Sequence, residues 1–243
     1  MKKIAVIPAR FAATRFPGKL MQRIGDKTII RMVYENVQAM ELFDDVLVVT
    51  DNDQIVEEIK AIGGSVKKSS QEHPSGSDRI AEAIMDMDVD VVVNVQGDEP
   101  FVDISPLERL LSAMGEPGVE VASVMQKLGM DEDINNPNFV KVVCDKNNNA
   151  LYFSRSPIPY KRNLQSSLPI YKHVGVYAFK KNALLEFTKW PMGVLEQTEM
   201  LEQLRYLENG VSIKMVETST SSIGIDTPED LEKAKLYYAN RKK

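Results

Sequence analysis

Ile4-Ala5-Val6-Ile7-Pro8-Ala9-Arg10-Phe11-Ala12-Ala13-Thr14-Arg15-Phe16-Pro17-Gly18-Lys19 is the stretch that decides the fold. Its first four residues form an apolar run with the length of a buried strand. A Pro- and Gly-punctuated loop follows, and a helical pattern begins near Thr28. A strand that opens into a loop before a helix is where α/β proteins hold phosphate groups. The loop carries Arg10, Arg15 and Lys19 and no acid, although the 243-residue chain has a formal net charge of -5. Local positive charge on a negative chain points to a polyanion such as a nucleoside triphosphate; the competing reading is a solvated surface loop. Neither GxxxxGK[ST] nor GxGxxG is present, so side chains as well as backbone N–H groups would hold the phosphates. The missing glycine fingerprint also disfavours a dehydrogenase.

Outward from this stretch, Ile29, Val33, Val37 and Met40 fall at helical spacing and predict a helix over 28–41. A strand over 46–50 follows. Ile55, Ile59 and Ile62 then mark a helix that stops at Gly63-Gly64, and Val66 begins a short third strand. The order β-α-β-α-β predicts a parallel sheet with right-handed crossovers. The polar loop 69–79 reads as a turn with an N-cap from Ser77 or Asp78 ahead of a helix over 78–87; contact with a base or ribose is the alternative, and His73 reads as a loop histidine. Asp90-Val91-Val92-Val93-Asn94-Val95 is the clearest buried strand and runs into Gln96-Gly97-Asp98-Glu99-Pro100. Strand C-termini in open α/β sheets face the ligand crevice, so Asp98 points at whatever the first loop holds. An acid beside a triphosphate is repelled unless a cation intervenes, and Asp98 therefore implies Mg²⁺, with capping of the next helix as the alternative.

From Val119 the character changes. Strands are expected over 119–125, 139–145, 150–154 and 172–179, with a hairpin at Lys146-Asn147-Asn148-Asn149, so a mixed or antiparallel extension follows the parallel half. The loop after Phe153-Ser154 holds Arg155, Lys161 and Arg162, and Pro157 and Pro159 make it extended. It is either a second anion site, suited to a carboxylate, or a basic surface loop. His173 and Tyr177 lie four apart on a strand and share a face, lining a pocket or packing in the sheet. A helix is expected over 195–207 with Met200, Leu204 and Leu207 as its stripe and Glu202 and Gln203 at the border. A strand over 211–216 precedes the last helix. There Thr227 as N-cap and Pro228 at the first helical position free Asp226 to join Asp98 at a metal.

Composition bounds the remainder. Apolar residues make up 43% and charged residues 27% of the chain, as in ordinary globular proteins. One sizeable α/β domain is expected over 1–243: a mainly nucleotide-binding part over 1–118, a mixed or antiparallel part over 119–220, and a C-terminal helix over 221–243. The acidic balance argues against non-specific nucleic-acid binding. Cys144 is the single cysteine, lies in a strand-like run and reads as packing. No apolar run reaches the ~20 residues a membrane span needs, and the run before Pro8 is too short for a signal peptide, so a cytoplasmic location is expected.

Seven phrases resemble the CMP-KDO synthetases, the 3-deoxy-manno-octulosonate cytidylyltransferases. They are Ile7-Pro8-Ala9-Arg10 with Thr14-Arg15-Phe16-Pro17-Gly18-Lys19; Ser75-Gly76-Ser77-Asp78-Arg79; Asn94-Val95-Gln96-Gly97-Asp98-Glu99-Pro100; Tyr152-Phe153-Ser154-Arg155-Ser156-Pro157-Ile158-Pro159; His173-Val174-Gly175-Val176-Tyr177; Leu201-Glu202-Gln203-Leu204-Arg205; and Gly224-Ile225-Asp226-Thr227-Pro228-Glu229-Asp230-Leu231. Ser77 stands where that family has threonine and keeps the hydroxyl. The first loop fits other sugar-acid cytidylyltransferases as well; the phrases around Arg155, His173 and Glu202 narrow it to the KDO type. The resemblance implies a three-layer α/β/α nucleotidyltransferase-type mixed sheet with a small antiparallel β extension. It implies Mg²⁺-dependent transfer of CMP from CTP to KDO for lipopolysaccharide biosynthesis, and a homodimer. By the same resemblance Arg10, Arg15 and Lys19 hold the triphosphate, and Ser75, Arg79 and Gln96 lie at the cytidine. Asp98 and Asp226 ligate Mg²⁺, while Arg155, Arg162, His173, Tyr177, Glu202 and Gln203 contact KDO. A cytidylyltransferase for another sugar acid, and a non-catalytic nucleotide sensor, are the rival readings.

Overall fold

Lys3–Ala9 (β1) is the central strand of a parallel sheet, and four consecutive residues of it, Ile4 to Ile7, are buried. It pairs with Asp45–Thr50 (β4) on one side and Val91–Asn94 (β6) on the other, and β4 pairs in turn with Ser65–Lys68 (β5), all parallel. Arg23–Ile24 (β2) and Lys27–Thr28 (β3) form a small antiparallel ribbon that the hydrophobic pattern did not reveal. The computed structural model describes residues 1–11, 16–70, 73, 75–129, 131–163, 165, 167–220 and 223–241. They fall into two compact units, Met1–Ile104 with Ser221–Lys243, and Ser105–Thr220.

In the first unit the helices start where polar caps stand. Thr28 accepts a hydrogen bond from Arg31 N at the head of Ile29–Ala39 (α1), whose Ile29, Ile30, Val33 and Val37 are fully buried. Asn52 accepts from Gln54 N and Ile55 N at the head of Asp53–Ala61 (α2). Gly76–Ile84 (α3) is capped by Ser75, which accepts from Asp78 N at 3.2 Å. The expected cap from Ser77 or Asp78 is thus corrected: Ser77 is buried inside the first turn, and Asp78 is the acid that answers Ser75. Thr227 caps the C-terminal helix Pro228–Arg241 as expected, accepting from Asp230 N at 3.2 Å.

The second unit holds all but the first residue of Ile104–Ala113 (α4) and carries Val121–Lys127 (β7), Lys141–Cys144 (β8), Ala150–Ser154 (β9), Tyr171–Lys180 (β10) and Ile213–Thr218 (β11). Here β7 pairs antiparallel with β10 and parallel with β11, β10 pairs antiparallel with β8, and β8 with β9. The hairpin between β8 and β9 is the expected one. Asp145 Oδ1 accepts from Asn147 N and Asn149 N at 2.8 Å each, and Asn148 takes the left-handed conformation that asparagine tolerates.

The continuous helix expected over 195–207 is two short helices, Val194–Glu199 (α6) and Leu204–Glu208 (α7), after Lys181–Phe187 (α5). Met200 breaks it at φ 53, and its side chain is 72% exposed where the stripe required burial. The reason is electrostatic. Arg205 forms a fork with Glu196, Nε and Nη2 each 2.6 Å from a carboxylate oxygen, and Glu208 accepts from Leu195 N at 2.9 Å. Nine residues of continuous helix would separate Glu196 and Arg205 by about 13.5 Å along the axis, so neither contact survives without the break.

Candidate active site

Lys19 is the centre of the arrangement in the first unit. The loop that carries it turns at Gly18, φ +67, a conformation costly for any side-chain-bearing residue. Gly18 N also bonds back to Phe11 O at 3.0 Å, closing the loop's described ends together. Lys19 Nζ donates to Asp98 Oδ2 at 2.5 Å and to Asp226 Oδ1 at 2.9 Å. Burial alone would pull the ammonium pKa down; the Asp98 charge and the hydrogen bonds Lys19 donates to both acids outweigh it and raise it. Two further contacts bring the acids together. Ile225 N donates to Asp98 O at 3.0 Å, tying the segment before the last helix to the end of β6. At Gly97 a Cβ would stand 3.0 Å from Pro8 O, so glycine lets this segment lie against the end of β1.

The other nucleotide-side residues divide. Arg10 is exposed and has no hydrogen-bond partner among the described residues. Arg15 lies outside the described residues. Gln96 is half-buried beside the Asp98 turn. Ser75 is engaged as the α3 cap, its Oγ donating to Asp78 Oδ2 at 2.6 Å. Arg79 is 2% exposed; it donates to Asp51 Oδ2 at 2.8 Å and Ser69 Oγ at 2.7 Å, and so fastens the loop after β5. Both side chains thus make protein hydrogen bonds at the two ends of the 69–79 loop.

The second unit brings His173, Tyr177 and a polar pair together. His173 and Tyr177 share a face of β10 with ring centroids 5.2 Å apart, and Phe153 meets His173 at the same separation. Burial pushes the His173 pKa down to about 3, and it raises the Tyr177 phenol well above its usual range. At neutral pH both are uncharged. Gln203 is buried, and its Nε2 has no hydrogen-bond partner among the described residues. Glu202 is its half-buried neighbour in the Met200 break.

Arg155 is held by backbone carbonyls, and Arg162 lines a cavity. The Arg155 fork donates to three carbonyls, Glu199 O at 2.8 Å, Pro137 O at 2.9 Å and Met200 O at 3.3 Å. Ser154 Oγ and Arg155 N both donate to the Glu199 carboxylate, so the end of β9 is clamped to the helix break. Arg162 lines a cavity of about 260 Å³ with Pro159, Tyr160, Lys161, Leu168 and Ile170; His173, Tyr177, Glu202 and Gln203 are not among its lining.

A model of the family described as Cytidylyltransferase matches residues 4–214. A 3-deoxy-manno-octulosonate cytidylyltransferase of Flavobacterium johnsoniae is 56% identical over 238 residues, 97% of this chain and 98% of that one. The chain belongs to the 3-deoxy-manno-octulosonate cytidylyltransferase family. The relative of the same name from Christiangramia forsetii is 54% identical over 96% of the cytidylyltransferase and 95% of its own length. A solved CMP:2-keto-3-deoxy-manno-octonic acid synthetase complexed with CTP is 37% identical, with a TM-score of 0.94 over 99% of the cytidylyltransferase and 100% of that chain. The mixed α/β fold expected from the sequence is the fold of these enzymes. A 4-diphosphocytidyl-2C-methyl-D-erythritol synthase of Anaerococcus prevotii, 16% identical with a TM-score of 0.67, shares the fold alone.

Sequence reasoning missed some residues of the cytidylyltransferase that shape the site. Asn94 ends β6, buried, with Oδ1 unpartnered among the described residues. An asparagine closing a run of valines was the available signal. Asp51 and Glu199 had none, because their partners Arg79 and Arg155 are 28 and 44 residues away.

Proposed function

We infer that the cytidylyltransferase transfers CMP from CTP to the 2-hydroxyl of KDO, giving CMP-KDO and diphosphate. The choice of substrates is supported by full-length similarity to enzymes of that name. The observation that carries the chemistry is the convergence of Asp98 and Asp226 on the Lys19 ammonium.

That cluster fits a divalent cation. Two carboxylates and one ammonium leave one negative charge, and carboxylate oxygens are the hard donors Mg²⁺ takes, one or two at a time, alongside water and substrate phosphates. Among the described residues no group of three or more His, Cys, Asp or Glu side chains is arranged to hold a metal ion, so any further oxygens on the cation would come from water and the substrate. Bound at Asp98 and Asp226, Mg²⁺ would supply charge neutralisation on the triphosphate and the leaving diphosphate.

Arg10, Arg15 and Lys19 bind the triphosphate and stabilise charge developing on the phosphoryl oxygens. The bond from the sugar 2-oxygen to the α-phosphorus forms as the bond to the leaving oxygen breaks; the hydroxyl proton passes to solvent, and the leaving diphosphate keeps the electron pair. A protein nucleophile is not required. Cys144, its thiol pushed by burial up to about 11, stays protonated at neutral pH. His173, Tyr177, Glu202 and Gln203 hold the sugar acid. The reading extends to a cytoplasmic role in lipopolysaccharide biosynthesis and to a homodimer. The dimer is supported by large apolar side chains exposed on the second unit, among them Leu151, Tyr160, Leu168 and Met200. Among the described residues no helix is long and apolar enough to cross a membrane.

The test is diphosphate release from purified protein with Mg²⁺, across CTP, UTP, ATP and GTP, and across KDO, its 8-amino analogue and sialic acid. Release with CTP and KDO is expected. Preference for another acid would move the substrate, and no release with any pair would favour the nucleotide sensor.

A further inference from the structure

His173 stands beside a break in the ladder between β7 and β10. Val174 pairs with Val124, but the next pair is Tyr177 with Ser123, so Gly175 and Val176 bulge out between them. A bulge re-aims the groups around it. Here it brings three polar atoms to the Ser123 hydroxyl, a fully buried group: Val176 O at 2.9 Å, Val174 O at 3.5 Å and His173 Nε2 at 2.8 Å.

A hydroxyl has one proton and two lone pairs. Both carbonyls can only accept, and the nearer, Val176 O, takes the proton. A Ser123 lone pair then faces His173 Nε2, which must carry hydrogen. Burial keeps the ring neutral, with a pKa of about 3. A neutral imidazole protonated at Nε2 has a bare lone pair at Nδ1, and Nδ1 has no hydrogen-bond partner among the described residues.

We propose that Ser123 is a positioning residue that sets His173 in its Nε2–H tautomer, so that Nδ1 accepts from a hydroxyl of the sugar acid and does not face its carboxylate. This rests on the reading of His173 as a sugar-acid side chain. A carboxylate opposite a bare lone pair is repelled; a hydroxyl donor is satisfied. Gln203, with its buried and unpartnered Nε2, offers the opposite polarity to an acceptor on the same substrate. The second unit thus distinguishes donor from acceptor positions on the sugar with neutral groups.

The chain has two histidines, so ¹⁵N-histidine-labelled protein compared with its His73→Gln variant assigns both rings. Long-range ¹H–¹⁵N spectra of the free wild type should show His173 neutral from pH 5 to 8, with Nε2 protonated and Nδ1 bare. Ser123→Ala should give a mixture of tautomers and raise KM for KDO roughly ten-fold, the size of one misplaced hydrogen bond, with KM for CTP unchanged. Ser123→Thr, which keeps the hydroxyl, should match the wild type. Among 4-, 5-, 7- and 8-deoxy-KDO, one analogue should be insensitive to Ser123→Ala. A wild-type ring protonated at Nδ1 or on both nitrogens overturns the proposal, even if Ser123→Ala fails to fold. So does a KM for KDO within two-fold of wild type, or equal sensitivity of every analogue. A wild type that carries the Nε2–H tautomer but never turns over KDO refutes the functional reading instead.

Discussion

Asp98→Asn keeps the shape of the side chain and removes its charge, and its two consequences differ in size. In the free protein Lys19 keeps Asp226 at 2.9 Å and loses the carboxylate at 2.5 Å. The Asp98 side chain is 27% exposed and that of Asp226 53%, so solvent screens the pair and the stability loss should be about 1 kcal/mol or less. In the proposed reaction the same carboxylate is part of the charge arrangement around a triphosphate that is being broken. A preorganised group of that kind contributes ~3–4 kcal/mol, so kcat should fall roughly 10²- to 10³-fold. The assay is diphosphate release at saturating CTP and KDO with Mg²⁺, with urea unfolding of the same preparation. Asp226→Asn should behave alike. The double variant should lose less than the product of the two singles, because in the proposed reaction both acids act on the same triphosphate through bound Mg²⁺. A loss below ten-fold in Asp98→Asn, or an activity loss matched by the unfolded fraction, would refute the reasoning.

Three further outcomes follow from the geometry. Arg205→Met leaves the Glu196 carboxylate buried without its fork and should cost ~3–5 kcal/mol in urea unfolding, while Glu196→Leu combined with Arg205→Met should recover most of it; a double variant as weak as the single would contradict this. Burial pushes the Glu82 carboxyl up, but hydrogen bonds from Ser70 and His73 outweigh it and hold the pKa at about 2, against 4.5 for a free glutamate. A depressed folded pKa gives stability that is full above 4.5 and lost as pH falls towards 2, so the urea-midpoint gap between wild type and Glu82→Gln should shrink across that window; a gap independent of pH would rule the linkage out. Met200→Gly relieves the left-handed conformation at an exposed position and should stabilise by about 0.5–1 kcal/mol in the same assay; a lowered midpoint would mean that the Met200 side chain, not the turn, holds the break.

The parallel half of the fold was readable because its signals are local and redundant. Ile4 to Ile7 and Val91 to Val93 are continuous apolar runs, as strands buried on both faces must be. Thr28 and Thr227 are caps whose partners lie three residues on. The failure at 195–207 has the opposite character. Its residues have helical spacing and good helix propensity, so no local rule marks Met200 as a break. The deciding energies are the Glu196–Arg205 fork and the Glu208 cap, both of which close only after the chain has turned. Tertiary electrostatics overrode propensity there, and an exposed methionine at positive φ marks where.

For the site, residue type told more about charge than about address. Asp98 and Asp226 were expected at one metal, as lone acids at a strand end and before a capped helix, and Lys19 at the triphosphate; the structure sets the Lys19 ammonium between the two carboxylates. Arginine gives no such clue. Five N–H donors serve a substrate carboxylate and a set of backbone carbonyls equally well. Arg155 and Arg79, alike in sequence to anion-binding arginines, donate to Glu199 O, Pro137 O and Met200 O in one case and to Asp51 and Ser69 in the other. Arg155 thereby fixes the break that carries Glu202 and Gln203, and Arg79 fixes the loop between β5 and α3. It follows that lysine, which keeps the charge but not the fork, is a poor replacement at either position.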